Sequence, residues 1–310
     1  MSAISRALNY LLHNPLQFVD SCVKNLGFLF SDKLYLSLRF RCQMGKWVDW
    51  KNPKTFNEKL QWLKVYNRKP EYTAMVDKAE AKHYAASIIG EEHIIPTLGV
   101  WDRFDEIDFS RFPDKFVLKT TNGGGGGGVV ICRDKSTFDK EDARKKLEQS
   151  LHSSIYRTFR EWPYKNVKPR IIAEQYMTDS LQSDEKEELS DYKFFCVNGT
   201  AHNVMLCYDR QSGDTKFYFF DRNWNLLRLN KRGLAAPADF SIPKPKAVDE
   251  MFRIAGELSK GLPFARVDLY DVNGKIYFGE ITFYPQSGFD ANLLPDTDRM
   301  FGDLIELPQN

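Results

Sequence analysis

A run of six consecutive glycines, residues 123–128, separates two short stretches of strand-forming residues, FVLK at 116–119 and VVIC at 129–132. Glycine loses the most backbone freedom on ordering, roughly 0.5 to 1 kcal/mol per residue relative to alanine in a regular element, so a fold that keeps such a run needs a compensating interaction. The flanking stretches read as the two strands of a hairpin with this tip. A tip without side chains lets several backbone N–H groups approach an anion, and Lys119, just before it, adds a point charge for the same phosphates. Gly123, Gly124, Gly125, Gly126, Gly127 and Gly128 are therefore candidates for a lid over a nucleoside triphosphate. The competing reading is a floppy expansion of a surface hairpin. The run matches neither the P-loop nor the dinucleotide fingerprint: no lysine followed by Ser or Thr closes it, and no helix opens directly after it.

A second group of chemistry-bearing residues lies in ARVDLY (265–270) and KIYFGEITF (275–283), strand-like runs separated by the turn pair Asn273 and Gly274. Carboxylates on neighbouring strands can hold Mg²⁺ through hard oxygen atoms, leaving positions for water and phosphate. A strict two-residue turn would put Asp268 and Glu280 on opposite faces. A three-residue loop with Gly274 as a bulge puts Arg266, Asp268 and Glu280 on one face, and this arrangement is expected. Solvated charges on an ordinary edge hairpin are the alternative.

With 42% hydrophobic and 28% charged residues among 310, disorder is excluded as the main state, and two compact lobes, or one α/β body with an added segment, fit the length. The 44 basic and 42 acidic residues, net +2, are too balanced for the surface to trap nucleic acid. Cys22, Cys42, Cys132, Cys196 and Cys207 are odd in number and form no CxxC pair, so neither a disulfide framework nor a zinc knuckle is indicated. No stretch of 18 uninterrupted apolar residues and no apolar leader with a small-residue cleavage site occurs, and the expected location is the cytoplasm. Charge is concentrated in residues 1–50, where Arg6, Lys24, Lys33, Arg39, Arg41 and Lys46 face only Asp20, Asp32 and Asp49. After Pro15, the residues Leu16, Val19, Val23 and Leu26 recur at helical spacing, giving an amphipathic helix that packs on its own domain or docks on a membrane surface or a partner. Further helices are expected over 55–66, 77–89, 139–160 and 246–260, a buried strand over 170–177, and a solvated loop joining two lobes over 183–191.

These constellations, in this order, resemble the ATP-grasp superfamily, and more narrowly its teichuronopeptide-biosynthesis (TupA-like) branch. The similarity runs from NPKTFNEKLQWLKVYNR (52–68) through DKAEAKHYAASIIGEEHIIPTLGVWD, PDKFVLK, IIAEQYM and DYKFFCVNG to RVDLYDVNGKIYFGEITFYPQSG (266–288). It implies an α+β fold in which two α/β lobes with antiparallel sheets clasp ATP, plus a helical N-terminal segment. The implied spans are 1–75 for that segment, 76–112 for a central region, 113–185 for the small lobe with the glycine loop and 186–310 for the large lobe with the metal site. Lys78 and Lys119 would reach phosphates under the glycines. Backbone groups of Gln175, Tyr176 and Met177 and the Glu174 side chain would meet the adenine edge, Asp191 the ribose hydroxyls and Lys193 the phosphates. Asp268 and Glu280 match the metal carboxylates and Arg266 the arginine at the reacting centre, with Arg210 a second candidate on the acyl-phosphate side. Thr282 stands where many relatives place an asparagine ligand, and a hydroxyl is the weaker oxygen donor.

The resemblance implies ATP and Mg²⁺ as cofactors and an ATP-dependent carboxylate–amine ligase working through an acyl phosphate. Its carboxylate partner would be a uronic acid of a capsule or other cell-envelope polysaccharide, or its precursor, and its amine partner an amino acid. Peripheral contact with the inner face of the membrane through the basic N-terminal segment is the expected further partner. A sugar kinase or glycosyltransferase of polysaccharide biosynthesis, or a non-catalytic nucleotide-binding module, are the alternatives.

Overall fold

The computed structural model describes residues 14–124, 126–178, 189–208 and 215–309. Gly125, Arg210 and residues 183–188 of the charged loop lie outside them. The chain forms two compact units: one gathers the chain up to Arg68, Tyr156–Trp162 and the stretch from Tyr284, and the other holds Lys69–Ile155 and Pro163–Phe283.

The first unit is helical. It contains α1 (Pro15–Asn25), α2 (Asp32–Met44) and α3 (Phe56–Tyr66). Proline in the first turn starts α1. The Ser31 hydroxyl caps α2 by accepting from the Leu34 N–H at 3.4 Å, and Thr55 with Glu58 makes a reciprocal capping box on α3. Val23 of α1 is buried with Tyr35 and Leu36, but Leu16, Val19 and Leu26 on the same stripe remain 44%, 41% and 46% exposed. Lys64 on α3 is fully enclosed and donates to Gln61 Oε1 (3.1 Å), the Phe159 carbonyl (3.0 Å) and the Ser287 carbonyl (2.7 Å). That last carbonyl belongs to a tight turn in which Gln286 and Ser287 both have left-handed backbone, at φ 48° and 52°. The Ser287 hydroxyl closes the network on Glu161 Oε1 at 2.5 Å.

The second unit carries both sheets. The smaller contains β1 (Thr97–Trp101), β2 (Phe116–Thr120), β3 (Val129–Cys132) and β4 (Ile171–Gln175) in the antiparallel order β1-β4-β2-β3. The larger contains β5 (Asp191–Val197), β6 (Thr200–Tyr208), β7 (Lys216–Phe220), β8 (Leu226–Leu227), β9 (Ala265–Val272) and β10 (Lys275–Thr282) in the order β10-β9-β5-β6-β7-β8. The unit also holds the longer helices α4 (Glu80–Ile89), α5 (Lys140–Leu151) and α6 (Val248–Leu258), and α7 (Pro295–Leu304) belongs to the first. The α+β class is as expected, and the glycine run does connect paired strands, with Lys119 opposite Val129.

Two expectations are corrected. The helix expected over 139–160 stops at Leu151, because Asn122 Nδ2 donates to the carbonyls of Ser150 (3.4 Å), Leu151 (3.3 Å) and Ser153 (3.2 Å), and the Ser153 hydroxyl turns back onto Ser150 at 2.7 Å. The final hairpin does not use a three-residue loop: Val272 pairs with Lys275, leaving Asn273 and Gly274 as a two-residue turn with φ 56° and 82°. The register shifts instead between Phe278 and Glu280, placing Glu280 opposite Asp268 and Thr282 opposite Arg266. The bulge is at Gly279, where a Cβ would lie 2.9 Å from the Asp268 carbonyl oxygen. One shared face results, as expected, by a different device.

Candidate active site

The bulge creates a row of charges across three strands. Lys193 on β5 pairs directly with Asp268 on β9, which pairs directly with Glu280 on β10. Lys193 Nζ lies 2.5 Å from Asp191 Oδ2 and 2.6 Å from Asp268 Oδ2. Arg266 grips Asp268 with two bonds of 2.7 Å, from Nε and Nη2, and reaches Glu280 Oε1 at 3.2 Å and Thr282 Oγ1 at 3.1 Å. Burial pushes the Asp268 carboxyl upward, but Arg266 and Lys193 on its two oxygens keep it an anion at neutral pH. Partial burial would raise Glu280 too, but Lys78, Arg266 and Lys193 hold it down at about 2.

A second cluster forms on the small sheet. Glu174 on β4 faces Lys119 diagonally across the ladder to β2, and their charges meet at 2.5 Å. Its other oxygen takes Lys82 of α4 at 2.6 Å, and Lys82 also donates to the Ile95 carbonyl (2.6 Å) and Thr97 Oγ1 (3.0 Å). Burial alone would raise Glu174; the two lysines bring it to about 2. Both of its oxygens are thus engaged by cations. At the expected adenine hinge, Gln175 is exposed with its N–H on the Pro96 carbonyl at 3.0 Å, the Tyr176 ring stacks under Lys115 at 5.7 Å, and Met177 is half-buried.

Lys78 joins the two clusters. Its backbone N–H donates to the Thr121 carbonyl at 3.2 Å and its ammonium to the Gly123 carbonyl, at the start of the glycine run. Burial lowers its pKa against the opposing pull of Glu280, and the charges of Lys119 and Glu174 act on it from the other sheet. The glycine loop is held at its base: the Thr120 N–H donates to the Gly128 carbonyl at 2.9 Å, and a Cβ on Gly128 would sit 2.2 Å from Thr120 Oγ1 and 2.3 Å from Ser150 Oγ. Gly123 is buried beside it, whereas Gly124, Gly126 and Gly127 are exposed. Lys78, Lys119, Glu174, Gly123, Gly128, Asp191, Lys193, Arg266, Asp268, Glu280 and Thr282 are brought together in these linked clusters. Lys82 is not among the residues singled out from the sequence, where it is one of several charged residues in DKAEAKHY (77–84).

The donor set suits a divalent cation. Asp268 and Glu280 stand opposite each other on paired strands, and Glu280 keeps 40% of its side chain accessible. Two carboxylates with hydroxyl, water and phosphate oxygens is a Mg²⁺-type set. Among the described residues no group of three or more His, Cys, Asp or Glu side chains could hold a metal by itself, so such a cation would need oxygens from a ligand.

The TupA-like ATP-grasp family matches residues 58–306, a span containing both sheets and every residue of the two clusters. The chain belongs to the TupA-like ATP-grasp family. This TupA-like protein is similar to the solved D-alanine–D-alanine ligase from Bacillus anthracis, at 18% identity over 74% of this chain and 63% of that one, with a TM-score of 0.42. For the Helicobacter pylori D-alanine–D-alanine ligase the values are 14%, 81%, 67% and 0.43. For the ATP-grasp ligase PsnB, complexed with a variant of its minimal precursor, Mg and ADP, they are 11%, 73%, 58% and 0.36. The chain spans 63% of the length of the first of these structures. A comparison with curated proteins found no match.

Proposed function

We propose that this TupA-like protein binds ATP and Mg²⁺ and joins a carboxylate to an amine, the carboxylate being a uronic acid of a cell-envelope or capsular polysaccharide, or its precursor, and the amine an amino acid. The observation that carries the reading is the position of Lys78, which donates to the glycine loop while sharing electrostatics with Glu280 of the acidic hairpin. Phosphate groups placed there would meet Lys78, Lys119 and Lys193 as cations and the exposed glycine N–H groups as donors. Asp268 and Glu280 would hold Mg²⁺, which supplies charge to offset that developing on the transferred phosphoryl group.

A carboxylate oxygen is a poor leaving group, and conversion to an acyl phosphate lets an amine displace phosphate. Arg266, already oriented by Asp268, Glu280 and Thr282, would face the oxyanion of the tetrahedral intermediate. The reading places the protein in the cytoplasm, peripheral to the inner face of the membrane; no described helix is long and apolar enough to cross one.

The test is release of ADP and phosphate across uronic acids crossed with amino acids. Release requiring both co-substrates is expected, with Glu280→Ala reducing it by about 100-fold or more. Release of ADP without phosphate, requiring the sugar alone, would make the protein a kinase, and dependence on a nucleotide sugar would make it a glycosyltransferase; either result rejects ligation.

A further inference from the structure

Helices α1 and α2 are joined by a 3₁₀ turn, Gly27–Leu29, at which apolar side chains point into solvent. Phe28 is 80% exposed and Leu29 65%, and Leu26 and Leu34 on either side are 46% and 49% exposed. Leu16 and Val19 extend the apolar surface along α1. Large apolar side chains gathered at one bend mark an interaction surface, whereas scattered ones need no explanation.

The surrounding charges indicate what this surface meets. Of the acidic residues in 14–50, Asp20 is bound bidentately by Arg39 at 2.9 and 3.1 Å, and Asp32 is bound by Arg68 at 2.6 Å and Arg160 at 2.9 Å. Asp49 is turned to the backbone N–H groups of Lys51 and Asn52. Lys24 and Lys33, flanking the bend, have no carboxylate partner among the described residues, and Lys33 instead bonds the Tyr66 hydroxyl at 3.0 Å. Asp20 and Asp32 are drawn into ion pairs and Asp49 is exposed but held by backbone N–H groups, while Lys24 and Lys33 are exposed beside a protruding apolar tip, the Lys33 ammonium lying over the Trp50 and Tyr66 rings at 5.4 and 5.7 Å.

We infer that the bend at Leu26, Phe28, Leu29 and Leu34, flanked by Lys24 and Lys33, docks on an anionic lipid bilayer. A tip fits an interface that deforms around it, whereas a protein partner has to supply a complementary surface of about 800 Å² on each side. The lysines meet the lipid headgroups while Phe28 and Leu29 enter the acyl boundary. The inference rests on the peripheral-membrane part of the proposed function and not on the ligase chemistry, so vesicle binding and turnover can fail separately.

The full chain is floated with phosphatidylcholine vesicles and with vesicles containing about 30% phosphatidylglycerol, an anionic surface of the kind that attracts lysines. Binding to the anionic vesicles is expected. Phe28→Glu with Leu29→Glu should lower partition by about tenfold or more, and Lys24→Glu with Lys33→Glu by at least about fivefold per lysine while removing the preference for anionic lipid. Amide exchange over residues 26–30 should be slowed further by anionic vesicles. Absence of binding by the wild type, or binding unaffected by both double variants, overturns the inference. So does a dimer in sedimentation that Phe28→Glu abolishes, which would mean that a second copy covers the tip.

Discussion

Glu174 shows how one side chain sets the electrostatics of several others. Held at about 2 against an ordinary value of 4.5, it favours the folded state by an amount of order 3 kcal/mol that is fully present above its unfolded value and lost as pH falls through about 2. Glu174→Gln should therefore be less stable than wild type at neutral pH, and the gap should shrink as acid protonates the wild-type carboxyl. Urea unfolding at pH 7, 5 and 3 measures this, and a gap constant with pH would contradict it. Lys82 holds the other side of the same carboxylate. Removing it by Lys82→Met leaves Glu174 to Lys119 alone, so ATP has to compete harder for Lys119, and its dissociation constant should rise by about tenfold. Calorimetric titration with ATP tests this; an unchanged constant would show that Lys82 does not set the availability of Lys119. This role was not legible in the sequence because the Lys82–Glu174 contact joins residues 92 positions apart, and nothing local to Lys82 reports it.

At the scale of elements, the acidic hairpin depends on the bulge more than on its turn. Gly279→Ala would place a methyl against the Asp268 carbonyl and should cost about 1 to 3 kcal/mol, whereas Gly127→Ala, with nothing within 4 Å, should stay within about 0.5 kcal/mol. Denaturant midpoints compare the two, and equal effects would remove the bulge from the account. The strands around the glycine run were legible because β-branched and aromatic residues cluster at 116–119 and 129–132. Asn273 and Gly274 announced the hairpin, but the sequence reading put the extra residue at the wrong glycine. Gly279 inside a strand carried the relevant signal, since an interior strand glycine often marks a bulge. The helix expected over 139–160 failed for another reason: its apolar stripe continues past 151 while Asn122, distant in sequence, terminates the backbone ladder.

For the whole molecule, the first unit draws on three separated chain segments, and Lys64 is where they are tied. Lys64→Met leaves the Phe159 and Ser287 carbonyls and Glu161 without its ammonium, and should cost about 3 to 5 kcal/mol, read as a lower denaturant midpoint. A loss below about 1 kcal/mol would show that the neighbouring Gln61 bonds suffice. Sequence periodicity, which works over windows of 11 to 18 residues, has no means of foreseeing a unit assembled from such distant pieces. The row from Lys193 through Asp268 to Glu280 has a consequence for how the protein changes hands between ligands. Because Lys193 and Arg266 already neutralise much of the acidic charge, Asp268 and Glu280 do not depend on a dication to sit side by side, and on the proposed reading they would give up these resident counter-ions to hold one. Lys193, released from Asp268 in such a swap, would then be at hand for phosphate oxygens, so the same salt bridge would serve as a placeholder for both halves of a metal–phosphate pair.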